Sequence, residues 1–170
     1  MASTRDTRVS DDLTAIPRQG DIESRCWRLS AAATLPAMTL AKLEAIIRSA
    51  WSKDTSDDPD EWTESNSAGG QCGVTAMVLY QLFGGVLLVS DVFRDGTRVE
   101  THHWNRLASG LEIDLTREQF RRGETFGEPR IIDPATSREP KPDSLRRVQL
   151  LSSRVAEALG NQAMNRPESS

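Results

Sequence analysis

The sequence predicts an α+β domain in which a buried helix starting at a cysteine packs against an antiparallel sheet. Three observations predict it. "CGVTAMVLYQLFGG" is an almost wholly apolar run that opens at Cys72 and stops at Gly84-Gly85, as a buried helix with a glycine C-terminus does. "VLLVSDVF" and "TRVETHHWNRL" flank Asp95-Gly96, the dipeptide of a tight hairpin. A third run, "LEIDL", follows the short turn "ASG" and extends the hairpin to a meander.

The elements follow in order. Residues 1–20 are polar and charged without a sustained apolar period and read as a flexible N-terminal arm. Residues 21–160 read as a single domain and 161–170 as a frayed tail. Thr39 is placed to cap a helix whose Leu40, Leu43, Ile46, Ile47 and Trp51 recur at helical spacing. "SKDTSDDPDEWTESNSAGG" is an acidic, turn-rich loop leading to Cys72. Beyond the meander, Thr116 and Gln119 stand at capping-box spacing. "PRIID" is strand-like, and Asp143 or Ser144 caps a last amphipathic helix ending at Gly160.

The totals narrow the function classes. A chain of 170 residues with 37% hydrophobic and 27% charged composition supports one core without a metal or disulfide staple. A net charge of −4 gives no general attraction to nucleic acid or anionic membrane. No apolar run approaches a membrane span, and "MASTRDTRVSDDLT" lacks the apolar core of a signal peptide. With Cys26 and Cys72 as the two cysteines, a reduced cytoplasm is the expected compartment, although a bridge between them stays open.

Cys72 is the residue to explain. At a helix N-terminus it meets the positive end of the macrodipole and free backbone N–H groups, which favour the thiolate. Gly69, Gly70 and Gly73 are expected to leave the backbone near the sulfur uncrowded, and Gln71 with the Cys72 N–H could form an oxyanion hole. Buried packing is the plainer role for a lone cysteine. A nucleophilic thiol needs a base, and the two histidines of the chain are adjacent, His102 and His103. On a strand they face opposite sides. If the turn is Ala108-Ser109-Gly110, Leu107 pairs with Leu111, and His102 lies diagonally across from Asp114 on one face. A two-residue turn would reverse the faces. The first register assembles a nucleophile, base and orienter: Cys72, His102 and Asp114.

The blocks "GQCGVTAMVLYQLFGGVLLV", "HHWNRL" and "EIDLTREQF" resemble the YunG family of small bacterial proteins, whose pattern is roughly G-Q-C-A-V-T-A, H-[YF]-W-N and D-[LF]-T-x-x-Q-F. The order of cysteine, H-x-W and aspartate is also similar to the papain-like superfamily in its transglutaminase-like form. The resemblance marks Gln71, Cys72, His102, Trp104, Asn105, Asp114, Thr116, Gln119 and Phe120. It implies a papain-like fold, with Cys72, His102 and Asp114 catalytic and Gln71, Trp104 and Asn105 contributing to the oxyanion hole and substrate binding. His103 stands where the family has an aromatic residue, and Gly73 where alanine is common.

The expected chemistry is acyl transfer through a thioester on Cys72, ending in amide hydrolysis or amide formation, with no cofactor. The substrate would be a small molecule, a peptide or a carrier-tethered acyl group. A papain-like fold kept as a protein-binding module, its triad unused, is the alternative. Zinc is disfavoured because no C-x-x-C or H-x₃-H spacing exists. Asp57, Asp58, Asp60 and Glu61 read as a solvated loop. "GGQCG" lacks the Gly-Lys-Ser/Thr ending of a phosphate loop. Arg117, Arg121 and Arg122 read as a solvated face that could also steer an anion.

Overall fold

The computed structural model describes residues 39–60, 62–132 and 141–164, all within the unit Pro36–Ser170. The arm assigned to residues 1–20, Cys26 and the last six residues of the expected tail lie outside the described residues.

Helix α1 (Leu40–Ala50) begins where Thr39 accepts the Lys42 N–H on its hydroxyl, and it buries Leu43, Ile46 and Ile47. Trp51 closes it, buried, with its indole N–H donated to the Thr75 hydroxyl at 3.0 Å. A single 3₁₀ turn, Lys53–Thr55, follows with a complete capping box between Ser52 and Thr55. Helix α2 (Cys72–Phe83) ends at Gly84 with φ +68. Helix α3 (Pro142–Met164) starts with proline, whose missing N–H costs nothing in a first helical turn. It runs through Gly160 rather than stopping there. An internal glycine costs only about 1 kcal/mol, and the helix bears it. Residues 161–164, read as frayed, are helical.

The described strands form one antiparallel sheet: β1 (Val86–Arg94), β2 (Thr97–Arg106), β3 (Glu112–Ile113), β4 (Thr125–Phe126) and β5 (Arg130–Ile132). The order is β3-β2-β1, with β4 and β5 pairing in succession along the far edge of β1. Asp95 and Gly96 both take positive φ, 51 and 77, in the β1–β2 turn, the pattern a type I′ hairpin requires. The Leu107 N–H bonds the Leu111 carbonyl and the Gly110 N–H bonds that of Leu107. The β2–β3 turn is therefore Ala108-Ser109-Gly110, and Asn105 pairs with Ile113.

The third strand is shorter than expected. Asp114 turns its carboxylate back onto the Thr116 N–H, 3.1 Å, and this side-chain turn ends the ladder. The capping box expected at Thr116 is likewise absent: no side-chain cap bond forms, because the Gln119 side chain is engaged elsewhere. The main core lies among α1, α2, α3 and β3, with Ile47, Leu79, Ile113, Leu151 and Val155 nearly free of solvent contact. It fixes the start of α2 against β2.

Candidate functional site

Two backbone features deliver Cys72 to the sheet. The loop before it is folded tightly: Asp57 N–H bonds the Gly70 carbonyl and the Ser56 hydroxyl bonds that of Gly69. Gly70 has φ +66, and a Cβ there would sit 2.3 Å from Ser56 Oγ. The expectation of open backbone beside the sulfur therefore holds for Gly73, where an added Cβ would have nothing within 4 Å. Gly69 is hemmed in by Asn66, and Gly70 is needed for close packing.

The thiol meets the edge of β2. Its Sγ lies 3.9 Å from the Thr101 carbonyl oxygen and 3.9 Å from His103 Nδ1. Residues two apart on a strand present their polar groups to one edge, so Thr101 C=O and His103 N–H flank the sulfur from the same side. The two histidine rings then diverge. His103 faces α2, as does Asn105, whose amide donates to the Ala76 carbonyl at 2.9 Å. His102 turns to the other face, with Trp104 and Asp114.

His102 is fully buried. Its Nε2 is 2.7 Å from Asp114 Oδ2, and its Nδ1 is 3.1 Å from Gln119 Nε2. Trp104 stacks on the ring at 5.5 Å and 18°, and Phe120 packs edge-on at 4.9 Å. The bonding sequence fixes the tautomer. Gly70 N–H donates to Gln119 Oε1 at 3.2 Å, which orients the carboxamide. Its amino group must then donate to His102 Nδ1, leaving Nε2–H for Asp114. Asp114 Oδ1 in turn accepts from the Thr116 N–H and hydroxyl.

The expected residues are thus gathered in two pairs rather than one line. Asp114 meets His102 as the turn register requires, but the ring against the thiol is that of His103. Burial is the largest influence on the Cys72 thiol, and the His103 backbone and the Gln119 side chain pull its pKa the other way. Burial outweighs both and pushes the thiol up to about 11 from 9.0. The helix-terminus effect expected to favour the thiolate does not prevail in this resting arrangement, because desolvation of the charged form is larger. Burial also holds His103 below its usual range.

Other assignments find different settings. Gln71 is buried, and its amide donates to the Ser52 carbonyl at 2.9 Å; Gln119 is the glutamine that bonds His102. Trp104 ties its indole N–H to Glu112 at 2.8 Å. Arg117 is exposed, as a solvated face requires, with its guanidinium over the Phe126 ring at 3.4 Å from the centroid. Asp57 pairs with Arg147 of α3 and Asp60 with Lys53 at the surface. Cys72 is a free thiol, and its expected alternative partner Cys26 lies outside the described residues. Among the described residues no group of three or more His, Cys, Asp or Glu side chains is placed to hold a metal ion, and no helix is long and apolar enough to cross a membrane.

Cys72, Ala76, His103, Asn105 and Asp114, among others, line a shallow depression beside the thiol with no enclosed room for even a water molecule. Gln119 is the residue that spacing alone misassigns. Its signal is present in the Thr-x-x-Gln sequence, which serves a cap equally well.

Residues 39–160 match the family described as YunG protein, which covers most of the chain. The chain belongs to the YunG family. Over 75 residues it is 39% identical to YunG of Bacillus subtilis (strain 168), itself described as an uncharacterized protein. That alignment takes in 44% of this chain and 57% of the YunG relative, so the chain spans little more than half of that protein's length. No solved structure matches. The three sequence blocks that resemble YunG all fall within the matched residues, and two of them supply Cys72 and His102.

Proposed function

We propose that this chain is a cysteine-dependent acyl-transfer enzyme of papain-like, transglutaminase-like architecture, with Cys72 as nucleophile, His102 as base and Asp114 as its orienter. One observation supports this most: His102 is held at Nε2 by Asp114, 2.7 Å away, and at Nδ1 by Gln119. An imidazole whose Nε2–H is donated to a carboxylate leaves Nδ1 as the nitrogen that can take a proton, as a general base requires.

In the proposed reaction the thiol proton passes to His102 Nδ1, and the sulfur attacks an acyl carbonyl. The tetrahedral intermediate collapses to a thioester as His102 returns the proton to the departing amine or alcohol. Water or an amine then attacks the thioester, giving hydrolysis or a new amide. Asp114 stays ionised and supports the imidazolium through Nε2–H. The expected substrate is a small acyl group or the end of a peptide or carrier-tethered chain. A free thiol suits the cytoplasm.

A second reading has its own support. The resting thiol is buried and pushed up to about 11, which also fits a papain-like fold used as a protein-binding module. Exposure to p-nitrophenyl acetate with intact-mass and peptide mass spectrometry separates the two. Acyl transfer requires a mass increase on Cys72 that Cys72→Ser lacks. Absence of any adduct on Cys72, with the label elsewhere or nowhere, favours the binding module.

A further inference from the structure

We propose that residues 117–122 form an anion site, in which the Arg117, Arg121 and Arg122 guanidinium groups hold a phosphate carried by the acyl donor. The inference rests on the acyl-transfer reading above and names the chemistry of the donor that the site takes.

The segment carries charge that no neighbour neutralises. Every other arginine among the described residues has a carboxylate within 4.0 Å, from Arg48 with Glu118 to Arg154 with Asp54. Arg117, Arg121 and Arg122 have none, and all three are exposed. The nearby carboxylates are engaged elsewhere: Glu118 pairs with Arg48, and Glu124 with Arg94 at 2.8 Å. Like charges gathered in this way repel one another and gain nothing for the fold. A bound anion offsets that repulsion.

Two contacts leave donors free for it. Arg117 lies over the Phe126 ring, 3.4 Å from the centroid. A guanidinium stacked on a ring keeps its in-plane N–H groups available, and those meet a phosphate or carboxylate two at a time. Arg121 is anchored by its Nε–H on the Glu118 carbonyl at 3.2 Å, which leaves its terminal N–H groups unpaired. A phosphate monoester has three acceptor oxygens and close to two charges, so it suits three guanidinium groups better than one carboxylate does. A polyanion fits worse, because Glu118 and Glu124 stand within and beside the segment and the whole chain carries a net charge of −4.

The segment also touches the candidate site. Gln119, between Arg117 and Arg121, accepts from the Gly70 N–H at 3.2 Å and bonds His102 at 3.1 Å. Gly70 stands two residues before Cys72. Phe120 packs on the His102 ring at 4.9 Å, and Phe126, the ring under Arg117, lies 5.9 Å from it. A flexible donor held by its phosphate at these arginines has its acyl end within reach of the head of α2.

The probes are S-acetyl-4′-phosphopantetheine and S-acetylpantetheine, which differ only in the phosphate. Binding is measured calorimetrically at low salt on the full chain carrying Cys72→Ser, which forms no thioester. The phosphorylated probe is expected to bind about tenfold more tightly, the scale of one charge-assisted hydrogen bond, and high salt should shrink the difference. Combined Arg117→Gln, Arg121→Gln and Arg122→Gln should abolish it. Combined Arg98→Gln, Arg106→Gln and Arg146→Gln removes the same charge elsewhere and should keep it. Equal binding of the two probes, binding of neither, a preference that survives the first set or one lost equally in the second overturns the proposal. So does inorganic phosphate binding as tightly as the phosphorylated probe, since the site then takes the free ion. The parent chain is exposed to each probe in parallel, and acetylation of Cys72 is read by peptide mass spectrometry. In that transfer the Cys72 sulfur bonds the acetyl carbon, the donor's C–S bond breaks, and the thiol proton leaves with the pantetheine thiol. If the arginine-dependent preference appears and neither probe acetylates Cys72, the anion site stands and the acyl-transfer reading falls. If both probes acetylate Cys72 equally, in the parent and in the first set alike, the reaction stands and the anion site falls.

Discussion

His102 Nε2 and Asp114 Oδ2 lie 2.7 Å apart, and the histidine ring has no exposed surface while the Asp114 side chain is 21% exposed. The aspartate therefore supplies the polar partner that a buried imidazole must have. Asp114→Ala removes that acceptor and the Oδ1 bonds to Thr116 together. A hydrogen bond involving a charged group contributes about 1.5–3 kcal/mol, so denaturant unfolding should show a loss of at least about that size. Asp114→Asn retains an acceptor and should cost clearly less. Equal losses for the two variants would mean that the carboxylate charge, not the acceptor, is what the site uses.

The two histidines should be inequivalent in turnover. His102→Ala removes the proposed base and should lower acyl transfer about 10²–10⁴-fold. His103→Phe should be mild, since that ring needs chiefly to pack beside Cys72 and the YunG pattern has an aromatic residue there. Kinetics with p-nitrophenyl acetate on both variants checks this. If His103→Phe is the inactive one, the base is the ring 3.9 Å from the thiol, and Asp114 has no part in the chemistry.

The turn explains why one half of this site is legible in the sequence and the other is not. Ala108-Ser109-Gly110 is a local device, with Gly110 at φ +87, and local turn chemistry sets strand register. Register places His102 and Asp114 on one face, so their pairing can be read. Helix α1 and its Thr39 cap are readable for the same local reason, as is the start of α2. The approach of Cys72 to the sheet is a tertiary matter. Its sulfur reaches the β2 edge beside Thr101 and His103, and no spacing along the chain encodes which ring it will touch. Gln119 is hidden by degeneracy: Thr-x-x-Gln serves a helix cap or a side chain sent 49 residues back to Gly70. The length of α3 escapes the sequence because a glycine stop signal is weak against a packed helix.

Two glycines at the head of α2 should respond oppositely to alanine. Gly73 lies in the helix with nothing within 4 Å of an added Cβ, so Gly73→Ala should stabilise by about 0.5–1 kcal/mol through helix propensity. At Gly70 the φ is +66, and the Cβ would come 2.3 Å from Ser56 Oγ and 2.8 Å from the Asp58 backbone nitrogen. Gly70→Ala should destabilise by about 1–3 kcal/mol and loosen the N–H that orients Gln119. Thermal melts of the two variants should move in opposite directions from the parent. A neutral Gly70→Ala would show that the loop from Ser56 to Asp58 yields easily.

Stability should also fall at both ends of the pH range, for different residues. Burial raises the Cys72 thiol from 9.0 to about 11. Below pH 9 both folded and unfolded chains keep this proton, and the contribution is whole. Between pH 9 and 11 the unfolded chain releases it first, so the folded state loses ground as pH rises. His103 is shifted the other way, below 6.5, chiefly by burial. Above pH 6.5 both states are neutral there, and that contribution is whole. As pH falls from 6.5 toward the folded value the unfolded chain gains its proton first, and stability declines again. Cys72→Ala should flatten the alkaline limb and His103→Phe the acid limb. Urea midpoints measured from pH 5 to 11 on the parent and both variants check this, and an alkaline limb that persists in Cys72→Ala would assign the loss to another group.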